Sequence, residues 1–192
     1  MPATLEKYKA IVVGTSAGGL YALTELLQGL PVNYPVPVIV VQHRSKDQRD
    51  LLEEVLQSKC VIKIKQADEK ENINSGYVYI APPDYHLLVE DDKTFSLSAD
   101  EAVRYSRPSI DVLFQSAAMA FKNSLIGIIL TGANSDGATG MMTIKKYGGL
   151  TIAQDPGEAQ FPVMPRASIE NGVDHTWTLK DIHQFLLKIM EQ

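Results

Sequence analysis

Ala10-Ile-Val-Val-Gly-Thr-Ser-Ala-Gly-Gly-Leu-Tyr-Ala-Leu-Thr-Glu-Leu-Leu-Gln-Gly-Leu30 is the stretch that decides the fold. Its first four residues are apolar, three of them β-branched, with no polar residue alternating between them. That is the pattern of a strand buried on both faces. The run stops at Gly14, and from Gly18 to Leu30 the residues Leu20, Leu23, Leu26, Leu27 and Leu30 recur at helical spacing. A buried strand, a glycine-rich turn and an amphipathic helix form the opening unit of an α/β sheet. The unit repeats: Val36–Val41 reads as a second strand, Asp47–Leu56 as a helix carrying Leu51, Leu52, Val55 and Leu56, and Val61–Ile64 as a third strand.

The middle of the chain reads differently. Tyr77–Ile80, His86–Val89 and Thr94–Leu97 are short strands divided by Pro82-Pro83-Asp84 and Asp91-Asp92, a spacing that suggests antiparallel pairing. Alternation then resumes with a helix over Ser109–Phe121, a strand over Leu125–Leu130, a helix over Gly137–Tyr147 and a strand over Leu150–Ala153. Arg166–Glu170 and Lys180–Met190 read as closing helices. The expected fold class is α/β: a doubly wound, mostly parallel sheet with helices on both faces and a short antiparallel excursion around residues 77–97. With 192 residues and no linker or repeat, a single domain over 1–192 is expected.

Composition removes several function classes. Hydrophobic residues make up 45% and charged residues 21%, an ordinary globular balance that excludes disorder and coiled coil. A net charge of −5 argues against nucleic acid as a partner, because phosphate binding needs clustered positive charge. The single cysteine, Cys60, can form neither an internal disulfide nor a thiolate zinc site. No cluster has convincing metal-ligand spacing, so neither a metal nor a cofactor is expected. The N-terminal residues lack signal-peptide character and the longest apolar runs are too short to span a bilayer. A cytoplasmic protein without membrane insertion is expected.

Ligands in open parallel sheets bind beyond the carboxyl ends of the strands. Those ends carry Gly14-Thr-Ser16-Ala-Gly18, Gln42-His43-Arg44 and Thr131-Gly-Ala-Asn-Ser-Asp136-Gly. Gly14-x-Ser16-x-Gly18 has the nucleophile-elbow pattern in a strand–turn–helix context. His43 could take the Ser16 proton and Asp136 could fix the imidazole, in an order unlike those of the familiar serine hydrolases. Taken singly, each residue has a plainer reading. The glycine loop could bind phosphate, although it lacks GxGxxG and the P-loop lysine. Ser16 and Asp136 could cap the helices that follow them, and His43 could be structural.

The residues also resemble those of a known family. Val13-Gly-Thr-Ser-Ala-Gly-Gly19, Val41-Gln-His43, Tyr79-Ile-Ala-Pro-Pro-Asp-Tyr-His86, Arg107-Pro-Ser-Ile-Asp-Val-Leu-Phe114 and Ile129-Leu-Thr-Gly-Ala-Asn-Ser-Asp-Gly-Ala138 are similar to the catalytic domain of the chemotaxis protein-glutamate methylesterases, the CheB-type receptor demethylases. Gly140-Met141, Ala153-Gln154 and Met164-Pro-Arg166 follow in family order, so that the resemblance runs from about Lys9 to Ile182. It implies a serine hydrolase that removes γ-methyl esters from glutamate side chains of chemoreceptors, releasing methanol; many members also deamidate glutamine. It implies Ser16, His43 and Asp136 as the triad and the backbone N–H of Ala133 in the oxyanion hole. A methylated chemoreceptor or another signalling protein is the implied substrate.

Several positions depart from the family pattern. Ala17 stands where threonine is common, Ala133 where a methionine is common, and Arg44-Ser45 in place of Met-Pro. The first strand begins about nine residues from Met1, leaving no room before it for a receiver domain. A standalone domain with an open site is therefore expected, and a separate receiver protein is a candidate partner. The rival readings are an esterase acting on another signalling substrate and an inactive module that binds methylated helices. His86 is expected in a turn or structural role rather than a catalytic one, Asp111 as a favourable first-turn acid, Arg166 in a fold-holding ion pair with contact to an acidic substrate as the alternative, and His175 and His183 at the periphery.

Overall fold

In the computed structural model, which describes residues 8–44 and 51–190, β1 (Ala10–Thr15) is fully buried along its length and sits at the centre of a seven-stranded sheet. Next to it lie β2 (Val38–Gln42) on one side and β7 (Leu125–Ile129) on the other. Beyond β2 come β4 (Tyr77–Ile80) and β3 (Lys63–Gln66); beyond β7 come β8 (Leu150–Gln154) and β9 (His175–Trp177). Every pairing in this sheet is parallel. The doubly wound expectation holds.

The pleat of β1 sends alternate side chains into two cores. Ile11 and Val13 join a core filled by α1 (Gly19–Leu27), α2 (Leu52–Gln57) and α6 (Leu179–Lys188). Ala10 and Val12 join the other, filled by α3 (Ile110–Phe121) and α4 (Ala138–Lys146) together with Met164 of α5 (Val163–Glu170). The antiparallel hairpin of β5 (His86–Val89) and β6 (Phe95–Ser98) covers that second core through Leu87, Val89 and Phe95. Because the winding direction reverses between β1 and β7, the two loops that follow them diverge and leave a crevice at the carboxyl edge.

Three local readings change. Tyr77–Ile80 is not part of the antiparallel excursion: as β4 it pairs in parallel with both β2 and β3, and only β5 and β6 run antiparallel. The second helix begins at Leu52, and the Asp47–Asp50 part of that reading lies outside the described residues, as do Ser45 and the N-terminal Met1–Lys7. Leu20, counted with the buried stripe of α1, is exposed; the stripe is carried by Ala22, Leu23, Leu26 and Leu27. None of the helices among the described residues is long and apolar enough to cross a membrane.

Candidate active site

The register of β1 on β2 pairs Thr15 with Gln42, so the residues that leave the sheet next are Ser16 and His43. The elbow is pinned from both sides. Ser16 N–H donates to Thr131 O at 3.0 Å and His43 N–H to Thr15 O at 3.1 Å. The Gln42 amide donates to Ser16 O at 2.8 Å and to His43 O at 3.0 Å. The turn needs glycine at Gly18, whose φ of 80° an L side chain rarely adopts. A Cβ at Gly14 would collide with Ile110, so glycine there lets the start of α3 close on the end of β1. Gly18 is also the N-cap of α1, with no side-chain cap, which removes the reading of Ser16 as a capping residue.

Asp136 does not cap its own helix either, since α4 starts from Gly137 without a side-chain cap. Its carboxylate instead enters the N-terminus of α3. Oδ1 accepts from Ser109 Oγ at 2.9 Å and from Asp111 N–H at 3.0 Å; Oδ2 accepts from Ile110 N–H at 2.7 Å. Helix N-termini present free N–H groups and a positive dipole end, so they favour an anion. The fourth donor is His43, with Nε2 2.8 Å from Oδ2. Complete burial raises the Asp136 pKa, but the hydrogen bonds from His43 and from the Asp111 and Ile110 N–H groups outweigh it, and the carboxyl sits below its ordinary range. An ionised Asp136 fixes the imidazole as the Nε2–H tautomer. Nδ1 is then the basic nitrogen, and the side-chain nitrogen of Asn134 lies 3.5 Å from it.

Ser16 and His43 line a cavity of about 560 Å³ with Asn134, Arg44, Arg107 and Tyr105. A second cavity of about 570 Å³ meets Ser16 from the α1 side, between Tyr21, Lys59 and Gln160. The two arginines are held in place. Arg44 donates to Ala81 O at 2.7 Å and pairs with Glu53 at 3.2 Å. Arg107 pairs with Asp84 at 2.7 Å and donates to the carbonyls of Ala99 and Asp100. Ala133 is exposed in the loop beside Asn134; among the described residues neither its N–H nor that of Ala17 has a protein acceptor. Among the described residues no group of three or more His, Cys, Asp or Glu is placed to hold a metal ion.

Several residues that organise the site do not announce themselves in sequence. His86 is buried; Nδ1 accepts Ser109 N–H at 3.1 Å and Nε2 donates to Glu101 O at 3.0 Å, so it holds the residue that bonds Asp136. Thr131 Oγ donates to Ala17 O, and Thr131 N–H donates to Gln154 Oε1 at 2.8 Å. Each of these residues lies at a strand end or a helix cap and within a stretch that resembles the family, and neither feature says what it bonds. Asp111 proves to be more than a first-turn acid: it is buried, accepts Gly140 N–H at 2.7 Å and pairs with Arg104 at 3.4 Å. Arg166 is exposed and, among the described residues, has no ion pair, which corrects the expectation of a fold-holding one. His175 stacks on Trp177 at the edge strand and His183 Nδ1 bonds Leu26 O, both away from the site.

Comparison with known proteins is consistent across sequence and structure. The family model described as CheB methylesterase matches residues 11–186. A Leptospira interrogans protein, provisionally named protein-glutamate methylesterase/protein-glutamine glutaminase, is 49% identical over 95% of both chains. The Thermotoga maritima protein of the same name is 36% identical over 85% of this chain, which covers 48% of that protein's length. The crystal structure of the Thermotoga maritima CheB methylesterase catalytic domain superposes with a TM-score of 0.90 at 34% identity, covering 95% of this chain and 98% of that one.

Proposed function

The chain belongs to the CheB methylesterase family, and on that premise we propose that Ser16, His43 and Asp136 hydrolyse γ-methyl esters of glutamate side chains in a protein, with Ser16 as nucleophile. One observation carries the assignment: Ser16 shares a cavity with a histidine whose Nε2–H is committed to a buried, ionised carboxylate, leaving Nδ1 to accept a proton. Ser16 Oγ attacks the ester carbonyl carbon as its proton passes to His43 Nδ1. The imidazolium is stabilised by Asp136, which keeps its negative charge throughout. Among the described residues nothing accepts from the N–H groups of Ala133 and Ala17, and they are the donors for the oxyanion, worth about 3 kcal/mol each. Collapse of the tetrahedral adduct expels methanol with the Nδ1 proton, and water activated by the same nitrogen releases the glutamate carboxylate. A glutamine amide entering the same route leaves ammonia and glutamate, the second activity for which the relatives are named.

The methylated helix of a chemoreceptor is the substrate favoured by this reading, and residues 1–192 act as a single catalytic domain. A separate receiver protein is the proposed regulator. The decisive experiment replaces Ser16 by Ala and follows methanol release from methyl-labelled receptors of the source organism. The rate should fall by roughly 10⁴ to 10⁶ while thermal stability stays near wild type. A folded Ser16→Ala protein that retains a tenth of the activity overturns the assignment.

A further inference from the structure

At the mouth of the catalytic cavity the chain turns back on itself over Val103-Arg-Tyr-Ser106. Val103 N–H donates to Ser106 O at 3.1 Å and Ser106 N–H to Val103 O at 2.9 Å, closing a two-residue hairpin. Both central residues are left-handed, Arg104 with φ 49° and Tyr105 with φ 66°. Turns of this form favour Asn-Gly, since L side chains with a large Cβ substituent are strained there. The strain at Arg104 has a local return, because its guanidinium pairs with Asp111 at 3.4 Å and donates to Ser135 Oγ at 3.1 Å. Tyr105 has none among the described residues: its relative exposure is 103%, which leaves its side chain in solvent. Backbone strain that persists without an internal contact points to a contact outside the molecule.

We propose that Tyr105 is a specificity-determining residue that packs against the protein bearing the ester, on side chains about one helical turn from the modified glutamate. The inference rests on the reading of Ser16 as an esterase nucleophile acting on a protein. Ala102, Tyr105 and Ser106 line the same cavity as Ser16 and His43, so a helix that delivers an esterified side chain to Ser16 must pass the hairpin tip. Residues three and four positions from the glutamate share its helix face. A tyrosine ring offers two apolar faces for their methylene groups at little cost in side-chain entropy, which is why exposed aromatics on rigid turns serve as interface anchors. The small ester group itself needs no such anchor, so Tyr105 separates protein esters from free ones.

The test compares kcat/KM on a methylated receptor fragment with kcat/KM on a small ester, the γ-methyl ester of N-acetylglutamate amide. Tyr105→Ala should lower the protein-to-small-ester ratio by about ten- to a hundredfold, through KM on the protein. Tyr105→Phe should restore the ratio, and Tyr147→Ala, an exposed tyrosine at the far end of α4, should leave it at the wild-type value. Tyr105→Asn should lower the ratio and raise Tm, because asparagine tolerates the left-handed turn. An unchanged ratio for Tyr105→Ala overturns the proposal, whether both rates hold or both fall together. So does self-association lost in Tyr105→Ala with protein turnover intact, which would make a second copy the occupant. Those outcomes leave the esterase reading standing. A wild-type chain that cleaves neither ester overturns both.

Discussion

Helices α3 and α4 begin beside one another, and each receives a buried aspartate from the other's segment. Asp136, just ahead of α4, enters the start of α3; Asp111, in the first turn of α3, reaches Gly140 in the first turn of α4. Both are almost fully buried. They nevertheless end with opposite acidities. Asp136 collects two backbone N–H groups, the Ser109 hydroxyl and His43, and its carboxyl is held below the ordinary range despite burial. For Asp111, burial dominates and the neighbouring Asp136 charge adds to it, so that the Gly140 N–H and Arg104 do not offset them and its pKa is raised. Burial alone therefore does not decide the charge of a carboxylate at this site. The donors that converge on it do, and they converge on the aspartate that faces His43.

The comparison is broken most severely by Asp136→Asn. An amide nitrogen must then face one of the donors now aimed at a carboxylate, and the imidazolium loses its counter-charge. A fall in kcat of roughly 10⁴ is expected, with about 2 to 3 kcal/mol lost from the urea-unfolding free energy because a buried donor is left unpaired. If kcat stays within tenfold of wild type, the assembly at the start of α3 does not support the role proposed for His43.

Ser109→Ala is gentler, since it removes one donor to Asp136 together with the side-chain cap of α3. A loss of about 1 to 2 kcal/mol and of about tenfold in kcat is expected, read by denaturation and by steady-state kinetics. Loss of stability with an unchanged kcat would reduce Ser109 to a helix cap.

The smallest effect is expected from Asp111→Asn, which keeps an acceptor for Gly140 N–H while removing a buried charge. Stability at pH 7 should change by less than about 1 kcal/mol, and kcat by less than twofold. The pH dependences should run in opposite directions. The folded pKa of Asp136 is depressed, so its contribution is complete above the unfolded carboxylate value and is lost as pH falls through the folded one. That of Asp111 is raised, so its contribution is complete below the unfolded value and is lost as pH rises through the folded one. Unfolding free energies from pH 7 down to pH 3 should show Asp136→Asn less acid-sensitive than wild type and Asp111→Asn more so. Parallel curves for the two variants would mean that the two carboxylates do not differ in acidity.

Ser16, His43 and Asp136 were legible in the sequence because each follows a run of apolar strand residues at an abrupt change to glycine and polar side chains. That change is a local signal, and the parallel sheet turns it into proximity. His86 and Ser109 carry no such signal: their bond spans 23 residues and exists only because the hairpin packs on α3. The place of β4 was hidden for a related reason. A parallel crossover normally shows itself as a helical period between two strands, and residues 67–76 have none. The path from β3 to β4 is held instead by bonds such as Lys65 to Glu71 at 2.7 Å and Asn74 N–H to the Tyr79 hydroxyl at 3.2 Å. β9 leaves no mark in the sequence because three residues give too short a period to read. His86 has the structural role expected of it, bonding Ser109 N–H and Glu101 O.

The strand order has a consequence for how activity is lost. β2, β1 and β7, whose ends lead to His43, Ser16 and the Asp136 loop, are consecutive, with two further strands outside them on each side. Fraying of either edge therefore removes β3 or β9 before it reaches a strand that feeds the site. Backbone amides of β1 should be among the last to exchange with deuterium, released only by opening of the whole sheet. In denaturant, inactivation and global unfolding should then fall on one curve. Ser16, His43 and the Asp136 loop are as durable as the centre of the sheet that aligns them.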